Sequence, residues 1–460
     1  MSSGTATWLA SLAALGIAAA TLPADARTLR VPTGPGAAVR ALAAAATGDT
    51  VTLTSGVHAG PLRITRAIVL RGEPGAVVDG GGRGTVLEVV APGAVVEGLE
   101  IRRSGKRVLT IDSGIHVVNS GGVILRRLRL DDVLYGVCAE RSSGLAVEDC
   151  WLTGRVPPLQ ETGEGNGIHL WYSEDARLVR DTVTHFVDAV YLSFANHTRV
   201  EDSRLEGNGR YGLHTMYCQG NQLVGNRLTH NVAGCAIMFS NHLAVERNTF
   251  VHNRGSRTYG LLLRDCSDGT FVSNLLVDNT IAIFMDNSNR NRLRRNLIQY
   301  NGWGILIFSS CAGNEIAGND FLNNDYPVAL DMRRTNNRFD DGHHGNYWGD
   351  SEPYDLDADG VSDVPYSPVS AFAFLSKQYP DLAVLAKSPA VAALSVAERV
   401  FPALRPSEAV DHFPLVAPGA GAHQGAAGER ASPRPAGGAA AGFALLLGAG
   451  AIGLTWGRRS

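Results

Sequence analysis

No CxxC or other close cysteine pair occurs in this 460-residue chain; the six cysteines, at 138, 150, 218, 235, 266 and 311, lie far apart. That spacing excludes a disulfide framework and a zinc ribbon, and leaves room for one or two bridges in an oxidising compartment. A basic stripe is missing as well. Lys and Arg together number 41 against 44 for Asp and Glu, a net charge of −3. Without a concentration of cations to neutralise phosphates, a general nucleic-acid binder is excluded. Apolar residues make up 45% of the chain, enough to bury a core, so wholesale disorder is excluded too.

The two ends differ from the body. An apolar run over positions 8–22 leads into Ala24-Asp25-Ala26, which reads as a secretory signal over 1–26 with an A-x-A cleavage site, although no Lys or Arg precedes the run. Residues 436–456 carry no charge and are followed by Gly457-Arg458-Arg459. Twenty-one such residues span a bilayer with the arginines on the cytoplasmic side, or form a sorting tail that is later cleaved. Residues 417–435 read as a flexible linker. The expected layout is an exported, periplasmic body tethered to the inner membrane through the segment 436–460.

Between positions 115 and 337 the sequence repeats every 22–23 residues, as in YGLHTMYCQGNQLVGNRLTHNVA from Tyr211 and YGLLLRDCSDGTFVSNLLVDNT from Tyr259. Each unit holds short strand patterns, and none shows helical periodicity. Asparagines keep the register: 226, 248, 274, 296 and 319 form one set, and 231, 253, 279, 301 and 324 a second. A fixed period with strands and Asn/Gly turns predicts an all-β, right-handed parallel β-helix of about ten or more coils over 27–350. Coils about 4.8 Å apart would stack each Asn set into a column of mutually bonded amides. AAVRALAAAATGDT predicts an N-terminal helical cap. Residues 351–416 predict an Asp-rich loop and short helices separated by proline.

Strand alternation sorts the side chains into two faces. Ile168, Leu170, Leu213 and Thr215 fall inward. The outward set begins His116, Cys138, His169 with Trp171, Tyr191, His214 with Met216 and Cys218, then Met238. Later coils add Phe284, Leu306 with Phe308, and Leu330 with Met332. Exposed sheets normally carry charge or threonine. An apolar, ring-rich face reads as a docking surface, centred on His116, His169, Trp171 and Tyr191. His214 and Met216 lie two apart on one strand, about 6.7 Å, with Met238 one coil on. Imidazole and thioethers suit transient Cu(I). Docking, copper binding and simple packing under a loop all remain open on these residues.

Asp355-Leu356-Asp357-Ala358-Asp359-Gly360-Val361-Ser362-Asp363 follows the first nine positions of a calcium loop, with Tyr366 where the bidentate Glu would stand. Asp355, Asp357, Asp359 and Asp363 are therefore candidate ligands of a structural calcium; a hydrogen-bonded Asp turn is the alternative. His343 and His344 would point apart in an extended segment and make a poor joint metal site. Tyr347 and Trp348 fall where the repeats stop, as rings that cover an open coil.

The order GNYWGD, DLDADGVSDVPY, KQYPDLAVLAKSPAVAALSVAERVFPALRP and DHFPLV resembles the NosD family over residues 27–416. The resemblance implies a non-enzymatic periplasmic role in maturation of nitrous oxide reductase. The implied partners are an ABC transporter (permease and ATPase) and a copper chaperone, acting on the copper–sulfur centre of the reductase. Other β-helix classes are a polysaccharide lyase or epimerase and a carbohydrate-binding surface protein. A lyase needs clustered carboxylates or an Asp/His/Arg group, whereas the outward columns offer Glu140, Arg264 and Asp286 on separate coils.

Overall fold

The computed structural model describes residues 26–160, 163–385, 388–401 and 408–419. The expected linker beyond Gly419, the terminal apolar segment, and all but the last residue of the expected signal peptide lie outside them. Among the described residues the body is a right-handed parallel β-helix. Three sheets of thirteen, twelve and thirteen strands run its length, and neighbouring coils pair in parallel.

Each coil is three strands joined by tight corners, for example Tyr211–Met216, Gln222–Val224 and Arg227–Thr229. In that coil Leu213, Leu223 and Leu228 turn inward, each 1–2% exposed. A three-residue strand with one central aliphatic residue suffices because the next coil completes its burial. The corner between the second and third strands needs one residue in the left-handed region. Arg180, Asp202, Gly225, Arg247 and Ser273 occupy it in successive coils at φ 50–67°.

The two asparagine sets form the internal ladders that their spacing predicts. Asn226 donates its main-chain N–H to Asn248 Oδ1 at 2.9 Å and its side-chain Nδ2 to the Val200 carbonyl at 2.8 Å. The pattern passes through Asn274, Asn296 and Asn319 to Asn346. Upstream, Cys150, Asp181 and Ser203 occupy the same rung position. The second ladder runs from Asn208 through Asn231 to Asn324.

All six cysteines are free and buried. Cys218 belongs to an internal ladder of hydroxyls and thiols, its N–H bonded to Ser240 Oγ at 3.0 Å and its Sγ facing the Leu192 and Met216 carbonyls. It does not lie on the outer face, because the strand ends at Met216 and a left-handed residue, Tyr217, turns the chain. Leu330 is likewise inward and fully buried. Ala329 pairs with Leu306 across a 23-residue step, which shifts the last coil's parity and leaves Asp331 exposed.

Helix α1 (Ala37–Ala44) caps the N-terminal end, burying Ala38 and Leu42. At the other end Tyr347–Trp348 pairs with Asp320 and Phe321. Trp348 is fully buried between the Phe321 ring at 4.4 Å and the Tyr366 ring at 5.0 Å. Asp411 then fastens the returning chain. Helices α2 (Ala371–Gln378) and α3 (Pro389–Val400) follow, each N-capped by serine, Ser370 and Ser388. Phe372 of α2 lies against Tyr326 of the last strand of the twelve-stranded sheet, ring centroids 5.9 Å apart.

Candidate functional site

The twelve-stranded sheet has the longest strands, up to six residues, and its outer face carries the residues singled out from sequence. Register places His116, Cys138, His169, Tyr191 and His214 side by side in one column. A second column, two residues further along each strand, runs Glu140, Trp171, Ser193, Met216, Met238. The register agrees with the alternation read from sequence at these positions and adds Ser193 to them.

Stacking joins three members of the first column into a ribbon. His169 lies 4.7 Å from Tyr191, and Tyr191 lies 4.6 Å from His214, near parallel in both contacts. Tyr211 meets His214 edge-on at 5.0 Å. Burial in this stack pushes His169 down to about 4, so its ring is uncharged at neutral pH. Burial pushes the Cys138 thiol up to about 12, so it offers no thiolate. His116 is engaged by Glu140, Nε2 to Oε1 at 3.1 Å. Trp171 receives the Arg141 guanidinium over its ring at 5.3 Å. A shallow cleft of about 290 Å³ opens between Cys138, Glu140, His169, Trp171, Tyr191 and Ser193.

His214 is buried within the face, its side chain 7% exposed. Nδ1 lies 3.1 Å from Asp188 Oδ2, while Nε2 is buried and meets no hydrogen-bond partner among the described residues. Asp188 is itself fully buried, and Arg210 grips both its oxygens, Nε–Oδ1 at 2.9 Å and Nη2–Oδ2 at 2.6 Å. Burial opposes ionisation of Asp188, but the bonds from His214 and Arg210 outweigh it and hold the carboxyl below its usual range. Met216 and Met238 are half-buried and directly opposed across neighbouring strands. The Tyr191 hydroxyl donates to Met216 Sδ at 3.5 Å. The face thus carries two thioethers and, one column over, an imidazole nitrogen that is buried without a hydrogen-bond partner among the described residues.

Sequence reasoning missed Asp188 and Arg210. The available signal was the repeat itself: the positions matching Asp188 on later coils are Tyr211, Ala233, Tyr259, Ile281 and Trp303. A carboxylate in a column of rings and aliphatics is out of place. It also missed a ridge of four stacked rings along the edge of the face. Tyr172, Phe194, Tyr217 and Phe239 follow each other at 4.6, 5.0 and 5.0 Å. All four hold φ near 50°, which bulky residues rarely adopt.

Towards the C-terminal end the same face becomes aliphatic and aromatic. Leu262, Phe284 and Leu306 form a second apolar cluster that includes Ala373 of α2. The Asp-rich loop lies beyond it. Oxygens of Asp355, Asp357 and Asp359 come within 4.8 Å of one another, close enough to share a cation. Asp363 is not in this group; like the other three it accepts a main-chain N–H, from Leu356 at 2.8 Å. His343 and His344 are exposed, and their main-chain N–H groups both cap Asp341.

Among the described residues no helix is long and apolar enough to cross a membrane. Residues 152–353 match the family model described as periplasmic copper-binding protein (NosD). The chain is 34% identical over 381 residues to a probable ABC transporter binding protein NosD of Pseudomonas aeruginosa, covering 79% of this chain and 87% of that one. It is 29% identical over 382 residues to the protein of the same description from Stutzerimonas stutzeri, covering 79% and 86%. Among solved structures, the surface adhesin PfbA of Streptococcus pneumoniae aligns with a TM-score of 0.43 at 10% identity, covering 66% of this chain and 92% of that one.

Proposed function

Since the chain belongs to the NosD family, we propose that it is a periplasmic accessory protein that carries Cu(I) as cargo on the outer face of its twelve-stranded sheet. In this reading it works with an ABC transporter, permease and ATPase, and receives copper from a chaperone. It serves assembly of the copper–sulfur centre of nitrous oxide reductase. It performs no bond chemistry of its own, and residues 436–460 tether it to the inner membrane beside the transporter.

The observation that carries the reading is the buried Nε2 of His214, without a partner, on a face that also presents Met216 and Met238. A buried polar atom left unpaired normally costs about 1–3 kcal/mol, a cost that a bound ion would offset. Two thioethers and an imidazole bring no negative charge and form a soft, low-coordinate set. That set suits a monovalent d¹⁰ ion far better than Ca²⁺ or Mg²⁺. His116, His169, Trp171 and Tyr191 continue the same face and form the surface on which the delivering or receiving protein docks. The charges the face does carry are engaged in pairs, Glu140 with His116 and Arg264 with Asp286 at 3.4 Å. This supports a carrier rather than an acid–base catalyst.

The test is complementation. In cells lacking the gene, the wild-type chain restores copper-loaded nitrous oxide reductase, and a variant with His214, Met216 and Met238 all changed to alanine yields reductase depleted of copper. Full loading by that variant removes the site assignment. In this reading α2 and α3 also hold the chain to the transporter, so removal of residues 372–416 abolishes co-purification with it; retained association removes that role.

A further inference from the structure

The copper site rests on a histidine that has two chemically different ring nitrogens, and something must decide which of them faces the cargo. Asp188 is placed to do so. An ionised carboxylate only accepts hydrogen bonds, so the contact of 3.1 Å to Nδ1 requires Nδ1 to carry the hydrogen. In the uncharged ring this leaves the lone pair on Nε2, the atom that has no other partner. Arg210 holds Asp188 at both oxygens, and Tyr211 N adds a third donor at 3.3 Å. The carboxylate therefore cannot rotate away without breaking all four contacts.

Folding does not demand this arrangement. A buried ion pair is on average no better for stability than apolar residues of the same size. The same strand position is filled by Ala233, Tyr259, Ile281 and Trp303 on later coils, with no carboxylate among them. The carboxylate stands only on the coil next to His214. Metal-bound histidines characteristically donate their second nitrogen to a carboxylate, which fixes the tautomer and raises ligand basicity.

We propose that Asp188, clamped by Arg210, is a positioning residue that locks His214 in the Nδ1–H tautomer and so pre-forms Nε2 as a ligand for Cu(I) together with Met216 and Met238. The inference rests on the copper reading above. It adds a pair of residues that never touch the ion.

Selective ¹⁵N-histidine labelling of the whole chain and long-range ¹⁵N–¹H spectra assign the His214 tautomer without copper, using His214→Ala to identify the signal. Cu(I) affinity is read by competition with bicinchoninate. The wild type shows a protonated Nδ1 and an unprotonated Nε2. Asp188→Asn, whose carboxamide can turn an N–H towards Nδ1, moves the hydrogen to Nε2 and weakens Cu(I) binding about 10–100-fold. A wild-type chain that binds no Cu(I) overturns the copper reading itself. A wild type that binds Cu(I) but holds its hydrogen on Nε2 overturns this inference alone. So does an Asp188→Asn protein with unchanged tautomer and affinity. Should Asp188→Asn fail to fold, the wild-type tautomer still decides the question.

Discussion

Asp411 accepts from the main-chain N–H of Asn346 at 2.7 Å, the Trp348 indole N–H at 2.8 Å and the Phe413 N–H at 3.1 Å, with no exposure to solvent. It ends the first asparagine ladder and ties the returning chain to the last coil. Burial pushes its carboxyl up to about 6 in spite of these donors. The folded chain thus holds this proton more firmly than the unfolded chain, where Asp titrates near 3.8. The carboxyl's contribution is greatest below pH 4, falls as pH rises towards 6, and is flat beyond. Protection of the Trp348 indole N–H, corrected for intrinsic exchange, should fall by about 1–1.5 kcal/mol between pH 5 and 7.5. Asp411→Ala strands two buried donors and should cost about 3–5 kcal/mol locally. Protease nicking between residues 339 and 366 would report it, and the pH step should vanish.

At the scale of the element, each ladder residue serves two neighbours. Asn274 accepts the Asn248 N–H at 2.9 Å and its Nδ2 at 3.1 Å, and donates to the Val245 carbonyl at 2.8 Å. Asn274→Ala should lower stability by about 3–4 kcal/mol, whereas Arg292→Ala, on an exposed strand position, should stay within about 0.5 kcal/mol in thermal unfolding. These ladders were readable beforehand because their rungs recur at a fixed step and a buried amide has few other uses. His116, His169, Tyr191, His214 and Met216 were readable because strict alternation holds within a six-residue strand. The ridge of Tyr172, Phe194, Tyr217 and Phe239 was not, for alternation fails at a left-handed residue. Their steps of 22, 23 and 22 residues were the overlooked sign. Cys218 was misplaced for the same reason, and Leu330 because the last step lengthens to 23. Asp188 escaped because its role depends on a side chain 26 residues away, one coil on.

On the scale of the whole molecule, coils are interchangeable in register though not in surface. Excising residues 281–302 joins Thr280 to Trp303, the residue that pairs with Ile281 in the native stack. Asn274 then meets Asn319, and Asn279 meets Asn324. The shortened chain should keep its β-sheet circular dichroism, unfold within several degrees of the parent, and bind Cu(I) unchanged, since His214, Met216 and Met238 lie upstream.

What excision does alter is length. From His214 the column advances through Ala236, Leu262, Phe284 and Leu306 to Ala329, beside α2, in five steps. At ~4.8 Å a step this is about 24 Å, spanned by a sheet whose backbone is hydrogen-bonded at every coil. The solenoid is therefore a ruler. It can be cut only in whole graduations, and one graduation fewer draws His214 nearly 5 Å towards the helices.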